Sequence, residues 1–187
     1  MIKKLTLSVL LALATLSASA EVVRYQIDPV HSAIEFKIRH FLNKIPGTFS
    51  QFEGEILFDK DNPSDSRATA TIAVSSVDTR NEKRNAHLRT PDFFNADKYP
   101  TITFQSTKWE VRGEHEYVVT GILTMMGVSR EVELEVGFLG ELETGSKTVS
   151  GWEAEAEIDR DQWGLRGGKP AVGSDVEIEI TIQAKRI

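Results

Sequence analysis

Three side chains early in the sequence have the types found in a hydrolytic triad. Asp28, His31 and Ser32 lie within five residues of one another. Neighbouring residues on a strand point to opposite faces, so His31 and Ser32 could not act together there. The chain also lacks the G-x-S-x-G motif, in which a strand-to-helix turn exposes a nucleophilic serine. We therefore expect no catalytic residues and no enzymatic activity.

Metal and thiol chemistry are equally poorly supported. The four histidines, His31, His40, His87 and His115, show no close ligand spacing such as H-x-x-x-H. Cysteine is absent, which excludes disulfides, thiolate metal ligands and a cysteine nucleophile. We expect no metal site and no cofactor.

Apolar and polar residues alternate along most of the chain. In the segment 176–184, VEIEITIQA, every second residue is apolar and most of those between are charged or polar. Successive side chains of a strand point to opposite faces, so this pattern indicates a sheet with one apolar and one polar face. It predicts eight strands, at 25–40, 48–58, 67–77, 101–110, 115–125, 128–138, 148–158 and 175–185.

Most of the predicted strands are joined by short, turn-forming segments. Residues 44–47 (KIPG), 59–66, 140–146 and 164–173 are rich in Gly, Pro, Asn, Asp and Ser. Short connections make neighbouring strands antiparallel. The apolar face is then buried either by packing two sheets together or by closing one sheet on itself. We predict closure, an all-β, eight-stranded antiparallel barrel.

One segment between the third and fourth predicted strands departs from alternation. Residues 81–88 are good helix formers, and Thr90–Pro91 is typical of the N-cap and first position of a second helical turn. Phe93, Phe94 and Tyr99 follow in otherwise polar surroundings. They either pack this short helical insert onto the barrel mouth or line the entrance for a ligand.

The first twenty residues have the pattern of a secretory signal peptide. Two lysines precede an apolar run over 5–16, and residues 18–20 form an A-x-A cleavage site. The run is shorter than the ~20 residues needed to cross a bilayer, so we expect cleavage after Ala20 and no integral membrane span. Residues 21–187 would form one domain.

This secreted part is acidic. It carries 20 lysines and arginines against 28 aspartates and glutamates, a formal charge of −8. An acidic chain without a long basic run is a poor candidate for binding nucleic acid or an anionic membrane surface. We expect no nucleic-acid partner.

Small residues recur on the apolar face of the predicted strands. They are Gly54, Ala68, Ala70, Gly121, Ala154 and Ala156. The interior of an eight-stranded barrel is just wide enough to be filled by side chains or to hold one small ligand. The small residues either fit the taper of a filled barrel or leave a tunnel, and we favour a tunnel.

Five ordered segments resemble the motifs of the YceI family, secreted bacterial proteins with a lipocalin-like barrel that binds polyisoprenoid chains or related lipids. They are DPVHSAIEFKIRH at 28–40, GTFSQFEGEILFD at 47–59, SSVDTRNEKRNAHLRTPDFFNADKYPTITFQS at 75–106, GILTMMGVSREVEL at 121–134 and IDRDQWGL at 158–165. The resemblance covers essentially the whole secreted part. It implies a lipocalin-like barrel in the periplasm that holds a long-chain isoprenoid lipid, polyprenyl or quinone-like, without covalent chemistry.

Two positions in this chain depart from the pattern of the YceI family. Asn85 stands where an acidic residue is expected after the arginine, and Met126 where a polar or basic residue commonly precedes the glycine. If these positions contact a ligand head group, the preferred head group differs in this chain.

The resemblance and the alternation together give a predicted ligand site. Its lumen would be lined by Ile34, Phe36, Ile38, Phe52, Ile56, Phe58, Ile72, Val74, Ile102, Phe104, Leu134, Val136, Trp152, Ile178 and Ile180. Its mouth would carry Asp28, His31, Ser32, Arg84, His87 and Arg160. Turn capping and ion pairing at strand ends are the alternative roles for these polar residues.

Three other interpretations stay open at the sequence level. The barrel could bind a fatty-acid-type lipid, or it could be filled and act as a protein-interaction module. An outer-membrane barrel would turn its apolar face outward between aromatic girdles, and three tyrosines and three tryptophans are few for that architecture. A homodimer is compatible with all of them.

Overall fold

The computed structural model describes residues 22–187. The predicted signal peptide at 1–20 lies outside the described residues. Within them the regular elements are β1 (Val23–Ile27), β2 (Ala33–His40), β3 (Asn43–Phe49), β4 (Phe52–Phe58), β5 (Arg67–Ala73), β6 (Val77–Asp78), α1 (Glu82–Leu88), β7 (Thr101–Gly113), β8 (Glu116–Met125), β9 (Val128–Thr144), β10 (Lys147–Asp159) and β11 (Val172–Arg186). Short 3₁₀ helices lie at Pro29–His31, Pro63–Asp65, Val74–Ser76 and Arg160–Trp163.

The strands form one antiparallel sheet that closes on itself. The closed ring runs β1-β4-β5-β7-β8-β9-β10-β11, and β11 pairs with β1 to complete it. β2 continues β1 beyond the 3₁₀ helix and also pairs with β11, while β3 precedes β4 and pairs with β2. Residues 23–40 and 43–58 therefore act as two long, interrupted strands. The predicted eight-stranded antiparallel barrel is confirmed.

The prediction of a turn at 44–47 is wrong. These residues lie in β3, where Pro46 pairs with Lys37 and Gly47 with Phe36. Proline lacks a backbone N–H and is tolerated in a strand only where no ladder bond is lost. β6 covers the other side of β3 only at Thr48 and Phe49, so Pro46 lies on an open edge. The actual turn is at residues 41–42, between β2 and β3.

The helical insert is confirmed at α1, and the second helical turn is not. The Asn81 side chain accepts a hydrogen bond from the Arg84 backbone N–H at 3.1 Å and so caps the helix. Residues 91–94 form turns without a helix. Thr90 Oγ1 donates back to the His87 carbonyl at 2.7 Å, so it completes the end of α1 and does not start a new helix.

The apolar residues face inward and form two clusters along the barrel. One lies between the sheet, Phe93 and Phe94 of the insert, and Trp163. The other is rich in aromatic residues and contains Tyr25, Phe58, Trp109, Tyr117, Phe138 and Trp152. Within residues 22–187 no helix combines the length and apolar character needed to cross a membrane.

Candidate functional site

An apolar cavity of about 510 Å³ occupies the barrel lumen. Thirteen of the fifteen predicted lumen residues line it: Ile34, Phe36, Ile38, Phe52, Ile56, Ile72, Ile102, Phe104, Leu134, Val136, Trp152, Ile178 and Ile180. The volume falls within the range of ligand pockets, ~300–1,000 Å³. Side chains therefore do not fill this barrel.

Aromatic side chains close one end of the cavity. Trp109 and Trp152 line it there, and the Phe58 ring lies behind them, with its centroid 6.2 Å from that of Trp109 and 4.8 Å from that of Trp152. Both indole N–H groups are satisfied, by Ser106 Oγ at 3.2 Å and Ser150 Oγ at 3.0 Å. A buried indole with its polar group paired makes a rigid apolar surface, so this floor can contact only an apolar ligand end.

Two predicted lumen residues do not line the cavity. Phe58 lies behind the floor, inside the aromatic cluster. Val74 belongs to the 3₁₀ helix that follows β5, where the strand pattern stops, and it is buried in the other core cluster. Both are core residues and not parts of the wall.

Small residues open the lumen at four of the six predicted positions. The cavity is lined by Ala68, Ala70, Ala154 and Ala156. The two glycines instead permit close packing. A Cβ at Gly121 would lie 2.4 Å from the Phe104 ring, and one at Gly54 would lie 2.3 Å from the Thr69 carbonyl oxygen.

Three elements surround the other end of the cavity, which we call the mouth: α1 with the segment after it, the β2–β3 turn, and the loop at 164–171. The Phe41 backbone N–H donates to the Ala171 carbonyl at 2.7 Å, which joins the turn to the loop. Gly167 packs so closely on Asp92 that a Cβ there would lie 2.3 Å from its carbonyl oxygen. The mouth is thus one continuous surface, with Phe93 and Phe94 both packing the insert and lining the cavity. Tyr99 packs against Gly127 instead.

Arg160 is the one predicted mouth residue that is both cavity-lining and fully buried, at 1% exposure. Its Nε donates to the Gly173 carbonyl at 2.7 Å, and its Nη2 donates to the Gly167 carbonyl at 2.8 Å. Nη1 has no hydrogen-bond partner among residues 22–187. Burial lowers the pKa of this guanidinium from its ordinary value, against the opposing effect of Asp161 and Asp159. The side chain holds the loop at 164–173 through these carbonyls, and Nη1 is left as its one unpaired donor beside the cavity within the described chain.

Arg84 and His87 also line the cavity, from α1. The Arg84 guanidinium donates to Thr79 Oγ1 at 2.7 Å and to the Thr79 carbonyl at 2.6 Å. Asn85, next to it, is buried away from the lumen. Its Oδ1 accepts from the Thr79 backbone N–H at 2.8 Å, and its Nδ2 donates to Asp78 Oδ1 at 2.9 Å.

The two departures from the family pattern therefore lie outside the cavity wall. Asn85 anchors the insert through its buried hydrogen bonds. Met126 and Gly127 form the tight β8–β9 turn with φ of 52° and 73°, the left-handed geometry of a two-residue hairpin. Neither side chain lines the cavity, so neither can contact a head group there.

Asp28, His31 and Ser32 do not lie at the mouth, which corrects their assignment. Asp28, 5% exposed, accepts from Lys185 Nζ at 2.7 Å and caps the 3₁₀ helix by accepting from the Val30 N–H at 3.2 Å. Hydrogen bonds from Lys185 and His31 hold the pKa of Asp28 at about 2. Asp28 therefore caps the 3₁₀ helix that separates β1 from β2.

The same three residues do not form a triad. Ser32 Oγ donates to the Asp28 carbonyl at 2.7 Å, while His31 Nδ1 lies 3.0 Å from the Asp28 carboxylate.

The described residues contain no group of three His, Asp or Glu side chains that could hold a metal ion. The cavity, by contrast, presents an extended apolar surface with donors at its mouth.

The alternating pattern does not identify several residues of the cavity wall. They include Phe49, Trp109, Leu123, Val132, Leu165 and Val172. A bulge between Ser106 and Lys108 reverses the inward parity of β7 and turns Trp109 into the lumen. Phe49 lies before the break between β3 and β4, which also changes parity.

Comparison with known proteins gives one family. The profile of the YceI-like domain matches residues 25–184. Protein YceI of Escherichia coli O157:H7 is 35% identical over 172 residues, which cover 89% of each chain.

Two solved structures show the same barrel at low identity. Burkholderia cenocepacia BcnA has a TM-score of 0.76 and 24% identity, over 84% of this chain and 98% of BcnA. A polyisoprenoid binding domain from Saccharophagus degradans has a TM-score of 0.64 and 14% identity, over 89% of this chain and 100% of that domain. The family profile and the similarity to Protein YceI establish more than the fold, and the chain belongs to the family of proteins with a YceI-like domain.

Proposed function

We propose that this protein is a non-enzymatic periplasmic binding or carrier protein for a long-chain isoprenoid lipid, polyprenyl or quinone-like. The observation that carries the proposal is the apolar cavity of about 510 Å³, closed by aromatic residues at one end and bordered by the exposed Arg84 and His87 at the other. The similarity in fold to a polyisoprenoid binding domain supports an isoprenoid tail over other apolar ligands.

The walls supply the affinity. A tail that buries on the order of 600 Å² of apolar surface would gain roughly 15 kcal/mol at about 25 cal/mol per Å². Loss of ligand freedom and ordering of the walls offset much of this. Because Trp109 and Trp152 form an apolar floor, the tail enters first and the polar head stays at the mouth.

In this orientation the Arg160 guanidinium contacts the head group of the lipid. Its Nε and Nη2 are held by backbone carbonyls, and its Nη1 has no partner within the described chain. A buried donor without an acceptor costs free energy, and an oxygen of the ligand would satisfy it. The site therefore favours a lipid whose head carries a phosphate, hydroxyl or carbonyl oxygen.

The tryptophans of the floor allow a direct test. Delipidated protein should show a saturable change in tryptophan emission when titrated with a long-chain polyprenol, because Trp109 and Trp152 contact the lumen. A fatty acid of similar length also offers oxygens to Arg160, but its unbranched tail would bury less apolar surface, so it should bind more weakly. Equal or tighter binding of the fatty acid would favour the fatty-acid alternative, and no saturable change with either would overturn the proposal.

A further inference from the structure

The β2–β3 turn exposes two large apolar side chains beside the mouth. Phe41 is 64% exposed and Leu42 is 96% exposed. Their neighbours His40 and Ile45 line the cavity, so the turn is part of its rim. Phe41 has a φ of 52°, and its N–H is bonded to Ala171, which fixes the turn. The fold therefore holds an apolar tip in contact with solvent at the rim of the cavity.

The elements around this tip are basic. We define the mouth face as residues 39–44, 80–98 and 160–171. It contains ten lysines and arginines and four aspartates and glutamates, a formal charge of +6, or +5 at its surface because Arg160 is buried. Lys169 pairs with Asp161 inside this face. Lys44 pairs with Glu177 from β11, at its border.

The rest of the protein has the opposite charge. We define the closed face as the connections beside the aromatic floor, residues 59–66, 110–116 and 139–148. It contains three lysines and arginines and eight aspartates and glutamates, a formal charge of −5. The outward sides of β9, β10 and β11 add exposed or half-buried glutamates, at 131, 133, 135, 153, 155, 157, 177 and 179. The expectation against an anionic membrane surface is based on the net acidity of the chain, which conceals this separation of charge along the barrel.

We propose that the mouth face docks on a bilayer that displays anionic head groups, with Phe41 and Leu42 inserted between them. The purpose of this docking rests on the proposed lipid-binding function, since it would open the cavity directly to the membrane. The docking itself depends only on the apolar tip and on the basic residues of the mouth face.

The exposed apolar tip and the basic residues around it favour a membrane over a protein as the partner. A protruding apolar tip with basic surroundings suits the boundary between head groups and acyl chains. Basic residues near an anionic surface add attraction that falls off within a Debye length. The acidic strand faces are repelled from that surface, so the protein can approach only with its mouth.

Vesicle flotation tests the inference, with the purified protein and vesicles of phosphatidylglycerol and phosphatidylcholine in equal parts. We expect binding to these vesicles and at least about tenfold weaker binding to pure phosphatidylcholine, since several basic residues near an anionic surface add their attractions. Binding should also be lost at 1 M salt, where the Debye length is about 3 Å.

Two matched pairs of variants locate the surface. Phe41→Ser with Leu42→Ser should weaken binding at least about tenfold, by loss of apolar insertion. Its control is Leu139→Ser with Leu142→Ser, at 65% and 64% exposure in the closed face. Lys83→Glu with Arg166→Glu should have a similar effect, and its control is Lys60→Glu with Arg112→Glu. All four of these basic residues are exposed.

Vesicle binding and lipid content, measured together, distinguish the docking proposal from the lipid-binding proposal. Lipid content is measured in every variant by solvent extraction, and the tip variant should retain it. Failure of the wild-type protein to bind anionic vesicles, or equal losses in the tip and control pairs, would overturn docking. That result, together with binding to acidic proteins, would assign the mouth face to a protein partner. An empty cavity in protein that still docks would contradict the lipid-binding proposal alone.

Discussion

The rings of Phe58 and Trp152 meet edge to face, with 4.8 Å between their centroids and 89° between their planes. Trp152 faces the cavity, and Phe58 lies behind it. This pair marks the closed end of the lumen, and in the proposed complex it would limit the length of the bound chain.

Truncation of the floor should lengthen the cavity at a cost in stability. Trp152→Ala should lower the free energy of unfolding by about 3–5 kcal/mol and shift the preferred polyprenol to a longer chain. Guanidinium unfolding and a chain-length series measure the two effects. Leu139→Ala, exposed in the closed face, should stay within ~0.5 kcal/mol of the wild type. An unchanged length preference in a folded Trp152→Ala protein would contradict the role of the floor.

Filling the lumen should block the ligand. Ala154 faces the cavity and Glu155, the next residue on β10, faces solvent. Ala154→Phe places a ring in the lumen and should abolish lipid binding, whereas Glu155→Phe adds the same ring outside and should leave it intact. Lipid content after extraction measures both. Equal lipid in the two folded variants would mean that the ligand lies elsewhere.

Arg160 should select for an oxygen in the head group. Wild-type protein should bind a polyprenyl phosphate roughly tenfold or more tightly than a hydrocarbon of the same length, since a hydrogen bond to a charged group contributes about 1.5–3 kcal/mol. Arg160→Lys keeps the charge but loses the planar fork, so this preference should fall. Arg84→Lys is the control from the same mouth. Wild-type protein that binds both ligands equally would remove Arg160 from the site.

The cap at Asp28 should make stability depend on acid pH. Its pKa is held at about 2 in the folded protein, below the ordinary 3.8. A lowered pKa stabilises the fold at any pH above the ordinary value, and this contribution is lost as the pH falls from about 4 to 2. Asp28→Asn should be less stable near neutral pH and should lose less stability over that acid range. Denaturation midpoints across pH measure the difference, and parallel curves would contradict the assignment.

The sequence predicts the barrel well because alternation is a local property. The inward set of β11, from Ile178 to Ile182, follows directly from period-two patterning, and all of it lines the cavity. The bulge that turns Trp109 inward has no comparable local signal. Proline and glycine in KIPG predict a turn from local composition, and only the open edge of β3 explains why they fit a strand.

The polar residues of the site were the least predictable. Asp28, His31 and Arg160 look alike as mouth candidates in the sequence, since each is a polar residue at a strand end. Their roles differ through partners that are remote in sequence. Lys185 holds Asp28 outside the lumen, while Gly167 and Gly173 hold Arg160 beside it.

The central claim is that the lumen holds an isoprenoid lipid, and the ligand carried by the native protein tests it most directly. Protein purified without detergent from its native host should be extracted with organic solvent and analysed by mass spectrometry. We predict one stoichiometric long-chain isoprenoid lipid with an oxygen-bearing head. A lumen that is consistently empty, or that holds only fatty acids, would contradict the account.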